Sequence, residues 1–306
     1  MLSYSEARTL GGTLSNNTST AFLTAFDSLR NIEEKRILSS RNWSFLEKQF
    51  TTLTDSTAQF VVLPQYVDRV FSVTVTVGTY VYSPRECPSR EMWDKLNMVS
   101  VASDIPTWWF VYDGKVGLFP KPSTSSNTIT INGKRLVKDL TVADYTTGGI
   151  LTTVVDSATV TGTGTTWATS MAGRWLRITE SDTSNKGDGF WYEILSVAST
   201  TSLTLVRPYK GTAITTGSAA YTISQCSLIP EQYQDLPIYG ALRTYYTSVD
   251  PNPTNAQLYG GMYVEMYKNM VESYANRNES CVIDDGTGRN LDMMNPNLFL
   301  TDVTGG

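Results

Sequence analysis

The sequence predicts an α+β fold: a helical body carrying a small antiparallel sheet, interrupted by an inserted all-β sandwich or barrel, and followed by an extended C-terminal tail. Three observations predict it. The apolar period is helical near both ends of the chain. It switches to alternation in between. A Thr/Ser/Gly-dense block with recurrent strand patterns then separates the body into two parts. The expected boundaries are 1–146 and 227–278 for the body, 147–226 for the insert and 279–306 for the tail.

The first fifty residues read as helical. Thr18 and the Ser/Asn residues before it can cap a helix start. Phe22, Ala25, Phe26 and Leu29 follow at helical spacing, and Ile32, Ile37 and Leu38 continue the pattern. Trp43, Phe45 and Leu46 are bulky anchors for a core.

From Thr54 the period changes. Phe60 to Leu63 is a short apolar strand stopped by Pro64. Val70 to Val77 is rich in β-branched residues, and Thr79 to Tyr82 follows Gly78 as a hairpin partner would. Trp108–Tyr112 and Val116–Phe119 flank Asp113-Gly114, a strong hairpin signal. Thr128 to Ile131 is one more strand. These strands predict a small sheet packed on the helices.

Residues 147–226 carry strand-like runs near 160, 176, 193, 204 and 222. Their spacing and composition predict a self-contained β unit. The helical period then returns. Ile238, Leu242, Tyr245, Tyr246 and Val249 share a helix face. After Pro251 and Pro253, the residues Tyr259, Met262, Tyr263, Met266, Tyr267, Met270, Val271 and Tyr274 step by three and four. This Met/Tyr face is expected to be core or subunit interface, since Met fills irregular gaps and Tyr suits half-wet contacts. The tail keeps six large apolar residues with no period of their own: Leu291, Met293, Met294, Leu298, Phe299 and Leu300.

Composition excludes several functions. The 306 residues contain no histidine, which removes Ser-His-Asp and Cys-His arrangements and His-based metal sites. Cys87, Cys226 and Cys281 lie far apart and form no CxxC, so idle thiols are expected and no metal or cofactor site. The net charge is −5 without Lys/Arg runs, so tight DNA binding is not expected. No uncharged apolar run is long enough for a membrane span, and MLSYSEARTL is not a signal peptide.

The sharper motif readings give way to plainer ones. GTGTTW at 162–167 lacks the spacing and following helix of a phosphate loop and reads as a β-turn. DDGTG at 284–288 lacks the later ligands of a calcium loop. Of Trp108-Trp109 and Trp191-Tyr192, one of each pair is expected to face the core, because neighbours on a strand point to opposite faces. Asp94, Asp104, Asp144, Glu180 and Asp182 form no pair that the sequence brings together for glycoside hydrolysis. No catalytic residue is assigned and no enzyme activity is expected.

Read in order, several segments carry a resemblance. NWSFLEKQFTTLTDSTAQFVVLP from Asn42, DRVFSVTVTVG, SREMWDKL, IPTWWFVYDGKVGLFPKP and IPEQYQDLPIYGALRTYY resemble the head-to-tail adaptor (head completion) proteins of tailed bacteriophages. They cover roughly residues 18–138 and 228–276. In the insert, SATVTGTGTTWATSMAGRWLRIT and FWYEILSVASTTSLTLVRPYKGTA are similar to a small β module of phage virion proteins. There Gly162 and Gly164 shape a turn, Trp167 plugs the core and Gly173 opens a strand.

The resemblance implies a virion neck protein made in the host cytoplasm. It implies a ring of identical subunits, usually a dodecamer, docked on the portal protein, with a tail or nozzle protein below. DNA would pass the lumen without specific binding. On this reading the apolar residues of 291–300 bind portal, and Tyr259, Met262, Tyr263, Met266, Tyr267 and Met270 form the subunit interface. A tail or fibre component whose β module binds a receptor or glycan is the alternative.

Overall fold

The computed structural model describes residues 1–64, 66–146, 148–179, 187–215 and 220–274, with the backbone of two short strands at 282–284 and 290–292. The protein is a mixed α+β chain in which most elements are strands. No helix among the described residues is long and apolar enough to cross a membrane.

Helix α1 (Tyr4–Ser15) opens with a capping box, in which the Ser3 hydroxyl accepts from Glu6 N and the Glu6 carboxylate accepts from Ser3 N. Asn16 closes it in the left-handed region. Helix α2 (Thr20–Ser39) is capped by Ser19, one residue beyond the predicted Thr18. The two helices cross so closely that a Cβ on Gly11 would lie 2.3 Å from Cζ of Phe26.

Eight strands follow: β1 (Glu47–Leu53), β2 (Phe60–Val62), β3 (Val67–Val77), β4 (Tyr80–Tyr82), β5 (Arg85–Glu86), β6 (Trp108–Tyr112), β7 (Lys115–Phe119) and β8 (Thr128–Arg135), with helix α3 (Arg90–Leu96) after β5. They form two sheets, ordered β1-β8-β3-β4 and β2-β7-β6-β5. The sheets share one core. Phe50, Val73, Val75, Ile129 and Ile131 from the first meet Trp109, Val116 and Leu118 from the second. This corrects the expected single sheet on a helical body. The strands cover each other, and α3 packs on the second sheet through Trp93 against Phe60 and Phe110. The β6–β7 turn has Asp113 and Gly114 both at positive φ, as a two-residue hairpin turn requires.

The third sheet contains β9 (Ile150–Thr153), β10 (Thr159–Thr163), β11 (Trp175–Ile178), β12 (Trp191–Ser199), β13 (Ser202–Leu205) and β14 (Tyr221–Ser224). Its order is β14-β11-β12-β13-β10-β9. Register shifts in β12 let it curl into a half-barrel. Trp167, Leu176, Ile194, Leu203 and Ile223 fill its interior. The Trp167 indole N–H donates to the Tyr221 hydroxyl at 3.2 Å, and that hydroxyl donates to Gly148 O at 2.7 Å.

Helices α4 (Leu236–Ser248) and α5 (Pro253–Tyr274) return to α1 and α2. One apolar cluster joins Phe22, Phe26, Ile238, Leu242 and Tyr245. A second joins Ile37, Leu38, Trp43, Leu46, Leu236 and Met270. Beyond α5, β15 (Val282–Asp284) pairs antiparallel with β16 (Asn290–Asp292) within the expected C-terminal tail, the rest of which lies outside the described residues.

Candidate interaction surface

Of the six residues expected at a subunit interface, five are used inside the chain. Tyr259 is 6% exposed and Met270 0%, so neither has surface to offer a neighbour. Tyr259 stacks on Tyr246 at 6.0 Å and donates its hydroxyl to Leu14 O at 2.7 Å. Tyr263 lies under the Arg243 guanidinium, 4.6 Å from the ring centroid, and burial pushes its phenol up. Tyr267 stacks on Tyr263 and meets the Ser40 hydroxyl at 3.0 Å. Met266 packs on the cluster around Trp43 and Met270. Met262, at 40%, is the exposed member, and Leu258 and Val264 are exposed with it on α5.

A second apolar surface is the segment after α3. Met98, Val99, Val101 and Ile105 are all exposed. The segment is nevertheless pinned. Ser103 N donates to Lys121 O, Lys121 N donates to Val101 O, and Asp104 accepts from Ser123 N, Thr124 N and the Thr124 hydroxyl. These bonds hold the Asp104 carboxyl below the usual range. In the sequence Ile105 opens an adaptor-like segment, but the apolar residues before it were assigned no role. The signal of the stretch was four large apolar residues in eight positions with no strand or helix period.

The half-barrel is clamped to the body. The Glu193 carboxylate on β12 accepts from Lys48 of β1 at 2.9 Å and from Arg135 of β8 at 2.7 Å. Arg177 on β11 reaches Glu6 of α1 at 2.7 Å and lies 4.5 Å from the Trp191 centroid. Next to this clamp lies a cleft of about 560 Å³, lined by both parts of the chain. Its cations are Lys48, Arg135, Lys138 and Arg174, and its carboxylates are Glu34 and Glu193. Arg174 has no ion-pair partner among the described residues, and desolvation lowers its pKa. Glu34 is buried, accepts from the Ser227 hydroxyl at 2.7 Å, and is pushed up by that burial.

The remaining motifs have structural uses. Gly162, one residue before the end of β10, lies close against Thr165 and Trp167, and Gly164 turns with positive φ. Trp109 and Tyr192 are buried, while Trp108 and Trp191 are half-exposed. Asp94 pairs with Arg90 one helical turn away, and Asp144 accepts from Ser3 and Ser224. Cys87 and Cys226 are free and buried, and burial raises the Cys226 thiol. Among the described residues no cluster of His, Cys, Asp and Glu could hold a metal. Glu180, Asp182, Met293, Met294, Leu298, Phe299 and Leu300 lie outside the described residues, as do 285–289. Of Leu291 only the backbone, in β16, is described.

No family model matches the chain, and no curated protein matches it.

Proposed function

We propose that the chain is a structural subunit of the connector ring between portal and tail of a tailed phage. Its two-sheet and helical parts would act as the adaptor body, and the half-barrel as the inserted module. The ordered run of adaptor-like segments from Asn42 to Tyr246 motivates the reading. The observation that carries it furthest is a pair of different apolar surfaces left exposed among the described residues. One is Leu258 and Met262, a turn apart on one side of α5, and the other is the pinned segment Met98–Ile105. A closed ring needs two unlike surfaces on each subunit, because the contact is head-to-tail. The net charge of −5 suits a lumen that DNA passes without sticking.

On this reading residues 291–300 dock on the portal protein, through Leu291, Met293, Met294, Leu298, Phe299 and Leu300. A tail or nozzle protein takes the opposite face. Assembly of the purified chain on isolated portal rings tests this. Truncation after Asn290 abolishes attachment if the segment is the anchor. Undiminished attachment of the truncated chain removes the segment from the interface.

A further inference from the structure

We propose that the cleft between body and half-barrel is the seat of the chain's own acidic hairpin, Val282–Asp292. Three observations converge on it. The first is charge. Four cations, Lys48, Arg135, Lys138 and Arg174, face two carboxylates in the cleft. Glu193 already engages Lys48 and Arg135, and the buried Glu34 lies beside Arg30 of the same helix. Arg174 is left without an ion-pair partner among the described residues. The hairpin carries Asp284, Asp285 and Asp292 against the single cation Arg289. Its charge therefore complements the cleft on a chain that is acidic as a whole.

The second observation is apolar surface. Leu136, Leu195 and Val206 line the cleft and are exposed, in strands and connections that are otherwise well packed. In sequence the hairpin supplies Val282 and Ile283.

The third is reach. Tyr274, the last residue of α5, packs edge-on against Phe45 and Tyr233, with ring centroids 5.5 and 6.1 Å away. Its cluster also contains Val137 and Leu228, which are themselves cleft-lining residues. The chain thus leaves α5 beside the cleft. The connection 275–281 spans about 25 Å when extended, at roughly 3.3–3.6 Å per residue. Tethering keeps the hairpin at high effective concentration, so a modest contact suffices. Seating it there fixes the place from which residues 293–300 depart. The inference does not depend on what those residues bind.

A photocrosslinking experiment on the full-length chain, with no portal present, tests it. Benzophenone maleimide is attached to Cys281 in the native protein, where the buried Cys87 and Cys226 are shielded from the reagent. Light and isotopically heavy chains are mixed before irradiation. The expected crosslinks run to Leu136, Lys138, Leu195 and Val206 within the same chain. Arg174→Glu lowers their yield about tenfold, the loss of roughly 1.4 kcal/mol of contact. Leu195→Asp, at a site already exposed and therefore harmless to folding, lowers it similarly. Crosslinks that avoid the cleft overturn the proposal. So do light–heavy crosslinks, which assign the cleft to a neighbouring copy's hairpin, and so does a yield unchanged in both variants.

Discussion

Glu193→Gln tests the clamp that holds the half-barrel to the body. The Glu193 side chain is 12% exposed and engages two cations at 2.9 and 2.7 Å, whose side chains are 26% and 18% exposed. Gln keeps the shape and one acceptor oxygen but removes the charge, leaving two partly covered cations side by side. Breaking a fully buried pair costs about 3–5 kcal/mol, and breaking an exposed one about 0–1 kcal/mol. Intermediate burial places this loss at about 1–3 kcal/mol. Urea unfolding of both proteins measures it, with Asp113→Asn at the exposed Lys115 pair as the control, which should change by under about 0.5 kcal/mol. Combining Glu193→Gln with Arg135→Met should show a coupling of about 1–2 kcal/mol. A Glu193→Gln loss no larger than the control's would refute the role of Glu193 and leave the Arg177–Glu6 pair and the chain connections to hold the half-barrel.

Gly11→Ala should destabilise by about 1–3 kcal/mol despite its better helix propensity, because its Cβ collides with Phe26. Gly261→Ala, with nothing within 4 Å, should stabilise by about 0.5–1 kcal/mol in the same thermal melt. Met270→Ala should cost about 2–5 kcal/mol, while Met262→Asp should leave the melt unchanged and block self-association in sedimentation velocity. Burial pushes the Tyr209 phenol up to about 12. The unfolded phenol titrates near 10, so the unfolded state loses its proton first, and stability falls as pH rises from about 10 to about 12. Tyr209→Phe should flatten that fall in pH-dependent urea titrations. At neutral pH it should cost little, since among the described residues the buried hydroxyl makes no well-formed hydrogen bond.

The hairpins at 70–82 and 108–119, five of the six strands of the insert (β9 was missed) and the two C-terminal helices were legible because each carries a local period or turn signal. Strand β1 was not. Its burial alternates, but of the inward positions Lys48, Phe50 and Thr52 only Phe50 is apolar, so the sequence shows no alternation, and its pairing with β8 makes it a strand. The two-sheet packing was hidden for a related reason. β8 inserts between β1 and β3, a long-range order that no local pattern encodes. On α5 the period revealed the helix but not its sides. Tyr and Met residues fill more than one face, and the contacts of α2 and α4 decide that Met270 is core and Met262 is not. The cleft could not be read, because its wall is assembled from segments as distant as Glu34 and Leu228. One clue was available: Arg30 and Glu33 fall on the same stripe of α2 as Phe26 and Ile37, which marks a buried charged cluster.

The most direct test of the central claim is a cryo-electron microscopy map of the neck of the assembled phage particle. The account predicts a closed ring of this chain beneath the portal, with α5 of one subunit facing the Met98–Ile105 segment of the next. Density for the chain in a peripheral fibre or appendage, with none between portal and tail, would contradict it.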